Sequence, residues 1–156
     1  MSIDFKRIKL EYEREFSDQS KKGSDHLSFH VEDWPNVLNE IQIEIFREIK
    51  SVGVCLYPFY PIGDSFINFG NPFSKIGLEI IYKDYIQEKE NKINEFKKKG
   101  WKVYKINTNH DRSTLEELFK RKYKRDLEND EDYFNFLDEN KDNNLDCLLN
   151  YLRIII

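Results

Sequence analysis

The chain predicts an α/β domain: a small mixed sheet sandwiched between helices, with extra helices at the C-terminal end. Three observations predict it. Four short β-prone runs, Val54 to Tyr60, Phe66 to Phe69, Ile76 to Ile81 and Trp101 to Ile106, are punctuated by Gly53, Gly63-Asp64, Asn71-Pro72 and Gly100. Stretches with helical spacing precede the first run and separate the third from the fourth. The segment between Ile81 and Trp101 has room for a crossover helix, so those two strands are expected to run parallel.

Taken in order, Phe5, Ile8, Tyr12 and Phe16 recur at helical or near-helical spacing, which fits a short helix or an edge strand. Lys21 to Asp25 reads as a loop. Asp33-Trp34-Pro35 is a helix start, and Val37, Leu38, Ile41, Ile45, Phe46 and Ile49 carry one helix to Gly53. Val54 to Tyr60 is the first strand, and Pro61 to Asp64 is read as the turn into the second. Asp84 to Lys99 is a helix in which Tyr85, Ile86, Lys89, Ile93 and Phe96 lie near one stripe. Trp101 to Ile106 alternates as a strand does. Ser113 with Glu116 is a capping box for a further helix. Tyr133 to Leu137 marks another, and Leu145 to Ile156 a last one. No repeat or linker divides the chain, so 1–156 reads as one domain with a core at 36–106 and a helical extension at 113–156.

Charge narrows the functional classes. The formal net charge is -4, which speaks against a nucleic-acid binder acting through bulk electrostatics. Its distribution is uneven. From Lys83 to Lys105 there are eight lysines against four acids, and from Asp126 to Asp146 nine acids against one lysine. The basic segment offers Lys89, Lys92, Lys97, Lys98, Lys99 and Lys102 to phosphate, although such a run is more often a solvated helix face. Cys55 and Cys147 lack metal-ligand spacing and read as free thiols of a reducing cytoplasm. His26, His30 and His110 are dispersed and show no zinc spacing. No run of the sequence is long and apolar enough to span a bilayer, so no membrane partner is expected.

Glu79 is the residue that asks for an explanation. A carboxylate embedded in Ile76-Gly77-Leu78-Glu79-Ile80-Ile81 costs several kcal/mol to bury unless something pairs with it. A metal, Lys75, Lys83 or a backbone amide could each fill that role. Trp101 reads more readily as core than as a base-stacking platform. Tyr57, Tyr60, Tyr82 and Tyr85 read either as core residues or as a stacking groove.

Order and spacing together supply a resemblance. Asn68-Phe69, then Glu79 eleven residues on, then a basic helix, then Gly100-Trp101-Lys102-Val103-Tyr104-Lys105-Ile106 resembles the PD-(D/E)XK nuclease superfamily. It looks closest to the small bacterial branch related to very-short-patch repair endonucleases. The resemblance implies a restriction-endonuclease-like sandwich. In that family an Asp and a Glu on neighbouring strands hold Mg²⁺, an ion that wants oxygen ligands, and a cation positions the attacking water. Here Asn68 stands at the Asp position, Ile81 where an acid or Lys belongs, Tyr82 at the Gly and Tyr85 at the His.

The resemblance therefore implies a nuclease frame with a degenerate metal site, acting by binding DNA or another nucleic acid, or a protein partner, and needing no cofactor. The rival reading is an active Mg²⁺-dependent endodeoxyribonuclease. It would use Glu79, Asn68 and Lys83 for catalysis and Glu79, Asn68 and Asp64 as metal ligands, with Glu40 or Glu44 as a further carboxylate. A third reading is a protein-interaction or inhibitor role in a bacterial conflict system, with the acidic segment facing a basic partner.

Overall fold

Asn39 shows how local chemistry sets the architecture. Its side chain accepts the backbone N–H of Gln42, and the Gln42 side chain accepts the backbone N–H of Asn39. This reciprocal capping box starts a helix at Glu40. The computed structural model describes residues 3–23, 26–82, 85–107 and 145–156. Its elements are α1 (Phe5–Lys22), α2 (Trp34–Val37), α3 (Glu40–Val52), β1 (Tyr57–Ile62), β2 (Ser65–Asn71), β3 (Ile76–Ile81), α4 (Ile86–Lys98), β4 (Lys102–Asn107) and α5 (Leu145–Ile155).

The helix expected from Asp33 to Gly53 is two helices. The chain leaves helical geometry at Leu38, whose ψ is 144°, and restarts under the Asn39 cap. Asp33 makes no side-chain cap; it bonds the Asn36 amide instead. Gly53 ends α3 as expected, at φ 81°, a left-handed value that a Cβ would strain. The N-terminal alternative resolves in favour of helix: α1 buries Ile8 and Tyr12 completely and leaves Leu10 outside.

The four strands form one mixed sheet in the order β1-β2-β3-β4. β1 pairs antiparallel with β2, β2 antiparallel with β3, and β3 parallel with β4, as the crossover argument requires. β1 starts three residues later than expected and absorbs Pro61 and Ile62, so the hairpin turn is only Gly63-Asp64. Pro58 and Pro61 are tolerated because β1 lies at the edge of the sheet.

Two apolar clusters sandwich this sheet. The larger gathers α1, α3 and α5 against Tyr57, Phe59, Phe69, Leu78, Ile80 and Ile106. The smaller joins Ile62 and Ile67 to Phe96 of α4 and to Trp101, so Trp101 is core. Gly77 makes this second layer thin: a Cβ there would come within 2.1 Å of the Ile67 Cδ1. The expected helices beginning at Ser113 and around Tyr133, and His110, lie outside the described residues. Leu145 to Ile155 is helical, with Leu149 and Leu152 wholly buried.

A candidate site where the sheet splits

Between β2 and β3 the backbone ladder runs from Asn71↔Ile76 to Phe69↔Leu78 and stops. The next facing positions are Asn68 and Glu79. There side chains replace the ladder. Glu79 Oε1 accepts the backbone N–H of Asn68 at 2.8 Å, and Asn68 Oδ1 accepts the backbone N–H of Ile80 at 2.9 Å. Meanwhile β1 stays paired with β2 out to Ile62↔Ser65, and β3 with β4 out to Ile81↔Asn107. The sheet thus forks, with Asn68 and Glu79 bridging the crotch.

The sequence folds this way because the pleat of β2 breaks at Asn68. Residues two apart on a regular strand share a face. Ile67 nevertheless packs in the cluster under α4, while Phe69 packs in the larger cluster on the opposite face. Across the hairpin, Phe59 sits opposite Asn68 with φ 46°, and that facing pair is missing from the β1–β2 ladder. A buried Phe in a left-handed conformation costs of order 1–3 kcal/mol, so the surroundings hold this distortion in place.

Helix α4 closes the fork. Lys89 Nζ lies 2.7 Å from Glu79 Oε2 and 3.3 Å from Asn68 Oδ1. Its ammonium therefore sits between the two side-chain oxygens, where a shared cation would be held. Tyr82 places its ring 5.5 Å from the same nitrogen. Lys92, nearly one turn further along, approaches Glu79 Oε1 to 4.0 Å and has no hydrogen-bond partner among the described residues. Burial holds the Lys92 ammonium below its ordinary pKa; the Glu79 charge works the other way, and Lys89 adds to the lowering. Glu79 is 0% exposed and Asn68 7%.

The residues singled out from sequence divide cleanly. Asn68 and Glu79 meet. Asp64 is exposed in the β1–β2 turn, and Lys83 lies outside the described residues. Glu44 is buried on α3, across the sheet from α4, and pairs with Arg47 at 3.0 Å. Glu40 opens the same helix. Lys97, Lys98, Lys99 and Lys102 are exposed around the end of α4 and the start of β4. Among the described residues Glu79 is met not by Lys75 but by a backbone amide, one of its expected partners, and by Lys89, a residue expected on a phosphate-facing surface. Its signal was present: Lys89 falls four residues before Ile93 and seven before Phe96, on the buried stripe of α4.

Chemically, the cluster has one carboxylate, one amide oxygen and an internal ammonium. Among the described residues no group of three or more His, Cys, Asp or Glu side chains is arranged to hold a metal ion. An octahedral Mg²⁺ would meet two protein oxygens here and would have to displace Lys89 to reach both. Tyr57 and Tyr60, two of the four candidate stacking tyrosines, serve the fold. The Tyr57 hydroxyl accepts the Leu27 N–H at 2.7 Å, and burial pushes the Tyr60 hydroxyl to about 12.

No protein-family model matches this chain, and neither does any curated protein or solved structure.

Proposed function

We propose that this chain is a nuclease-like protein in which a lysine has taken the place of the metal, and that it works by binding nucleic acid rather than by cleaving it. The position of the Lys89 ammonium, between Asn68 Oδ1 and Glu79 Oε2, carries the reading. Support for the restriction-endonuclease-like frame comes from the element order α3-β1-β2-β3-α4-β4 and from the paired Asn68 and Glu79 at a split between two antiparallel strands. A neutral amide with an already neutralised carboxylate gives a divalent ion little to bind. The exposed lysines Lys97, Lys98, Lys99 and Lys102 supply the surface for phosphate, and Lys97 and Lys98 end α4 where its dipole favours cations.

Two measurements test this. Calorimetric titration with Mn²⁺ or Mg²⁺ is expected to show no specific site, and plasmid DNA is expected to survive in either metal. A tight single site, or cleavage abolished by Glu79→Ala, would restore the enzyme reading. Fluorescence anisotropy with duplex DNA is expected to show metal-independent binding whose logarithm falls with log salt. Replacing two of the exposed lysines by Gln lowers that slope by about 0.9 per lost phosphate contact. DNA binding that is absent, or indifferent to salt, would leave a protein partner as the occupant of this surface.

A further inference from the structure

Beside the fork, the outer flank of α4 and the first residue of β2 border an open surface hollow of about 440 Å³ lined by Ser65, Asn91, Lys92, Asn94, Glu95 and Lys98. That volume lies within the range of small-molecule sites, about 300–1,000 Å³. Its six lining residues all carry polar groups, although the surface they turn to the hollow is more carbon than nitrogen and oxygen. Lys92 brings a half-buried ammonium that approaches Glu79 only at 4.0 Å and has no hydrogen-bond partner among the described residues. Asn91, Asn94 and Ser65 bring neutral groups that both donate and accept hydrogen bonds. Glu95 is engaged with Lys98 at 3.2 Å, so the lining carries one positive charge in excess.

We propose that this hollow binds the phosphate group of a hydroxylated phosphate ester, with Lys92 facing the phosphate and the two asparagines and Ser65 facing the hydroxyls. This goes beyond the binding role proposed above, which rests on the exposed lysines near the end of α4. The Lys92 ammonium also lies 5.7 Å from the Phe96 ring centroid, a contact that brings no countercharge. An ammonium that is partly desolvated, beside a second ammonium and at ion-pair distance from an already occupied carboxylate, gains from an incoming anion. The asparagines and serine suit a polyhydroxylated ligand and give little to an apolar one. The phosphate has two conceivable sources, a free sugar phosphate or the backbone of a nucleic acid.

The test is calorimetric titration of the whole chain with ribose 5-phosphate, with inorganic phosphate and ribose as controls. Saturable binding of ribose 5-phosphate is expected, tighter than that of either control. Asn94→Asp, at an exposed helical position, puts a negative charge on the wall and is expected to weaken binding about ten-fold. Lys92→Met is expected to weaken it at least as much. Circular dichroism checks that both variants fold, and because Asn94 has no part in the Glu79 cluster its result stands if Lys92→Met does not fold. Absence of saturation up to roughly 10 mM ligand, or equal affinity of wild type and Asn94→Asp, would overturn the proposal. Competition with an oligonucleotide lacking terminal phosphate then separates the sources: displacement assigns the phosphate to a nucleic-acid chain, and persistence of the bound ester assigns it to a free small molecule.

Discussion

At the scale of single residues, Glu79 and Lys89 form a salt bridge that stays favourable only while both members are present. Glu79 is wholly buried and the Lys89 side chain is 14% exposed. Removing one partner from such a pair typically costs about 3–5 kcal/mol, because the other charge is left behind. Glu79→Gln is therefore expected to lower the urea midpoint sharply, by an amount of that order, without changing the slope. Glu79→Leu combined with Lys89→Met is expected to cost less than the two single changes added together, with a coupling of about 0.5–3 kcal/mol. Strict additivity would show that the pair contributes nothing. Lys92 behaves differently. Its folded pKa lies below the unfolded one, so the folded state gives up its proton first as pH rises. The resulting penalty is present in full below the folded pKa and fades as pH rises towards the ordinary lysine value. Lys92→Met is thus expected to stabilise the protein at neutral pH, with a gain that shrinks in alkaline buffer; a gain growing with pH would contradict this. The burial of Glu79 was legible in the sequence because aliphatic residues surround it. Its cation was not, because Lys89 belongs to a Lys-rich segment that composition assigns to solvent, and only its place on the Ile93–Phe96 stripe says otherwise.

At the scale of elements, local chemistry decides boundaries that hydrophobic spacing leaves open. The stretch Val37 to Ile49 keeps helical spacing across Leu38, so spacing alone joins α2 to α3. The break is written in Asn39 and Gln42, a reciprocal cap that spacing does not reveal. Asn39→Ala is expected to cost about 1 kcal/mol in thermal or chemical unfolding. An effect near zero would mean that packing of Ile41, Ile45 and Ile49 alone holds the start of α3. The strands were legible in number and chain order, and the parallel β3–β4 pair in direction; β1 was begun three residues early because Val54 to Leu56 are as apolar as a strand, and ended two early because prolines read as turn residues. What permits them is the edge position of β1, a property of the sheet and not of the segment. Gly77 has a similar tertiary meaning. Gly77→Ala forces Ile67 to move and brings a methyl group to 3.2 Å from the Phe69 carbonyl oxygen. A loss of about 1–3 kcal/mol is expected, read from the unfolding midpoint.

At the scale of the whole molecule, two remote parts of the chain complete the two layers. Helix α5 packs on α3 and inserts Leu145, Leu149 and Leu152 into the larger core. Each buried leucine is worth about 2–5 kcal/mol against alanine, and domains are stable by only about 5–15 kcal/mol. Truncation before Leu145 is expected to abolish cooperative unfolding as followed by calorimetry. Helix α4, on the other side, does more than cover apolar surface, because it delivers the ammonium that the forked strands require. A β1–β2–β3 meander formed on its own would hold a carboxylate in its crotch with no counter-charge. Completing the meander is therefore tied to the arrival of a segment that comes later in the chain. The Glu79–Lys89 pair then belongs to a late stage of assembly, and weakening it should hasten loss of structure far more than it delays acquisition. A kinetic experiment would see the right arm of the chevron rise while the left arm barely moves, the mark of a latch that closes only after the frame is up.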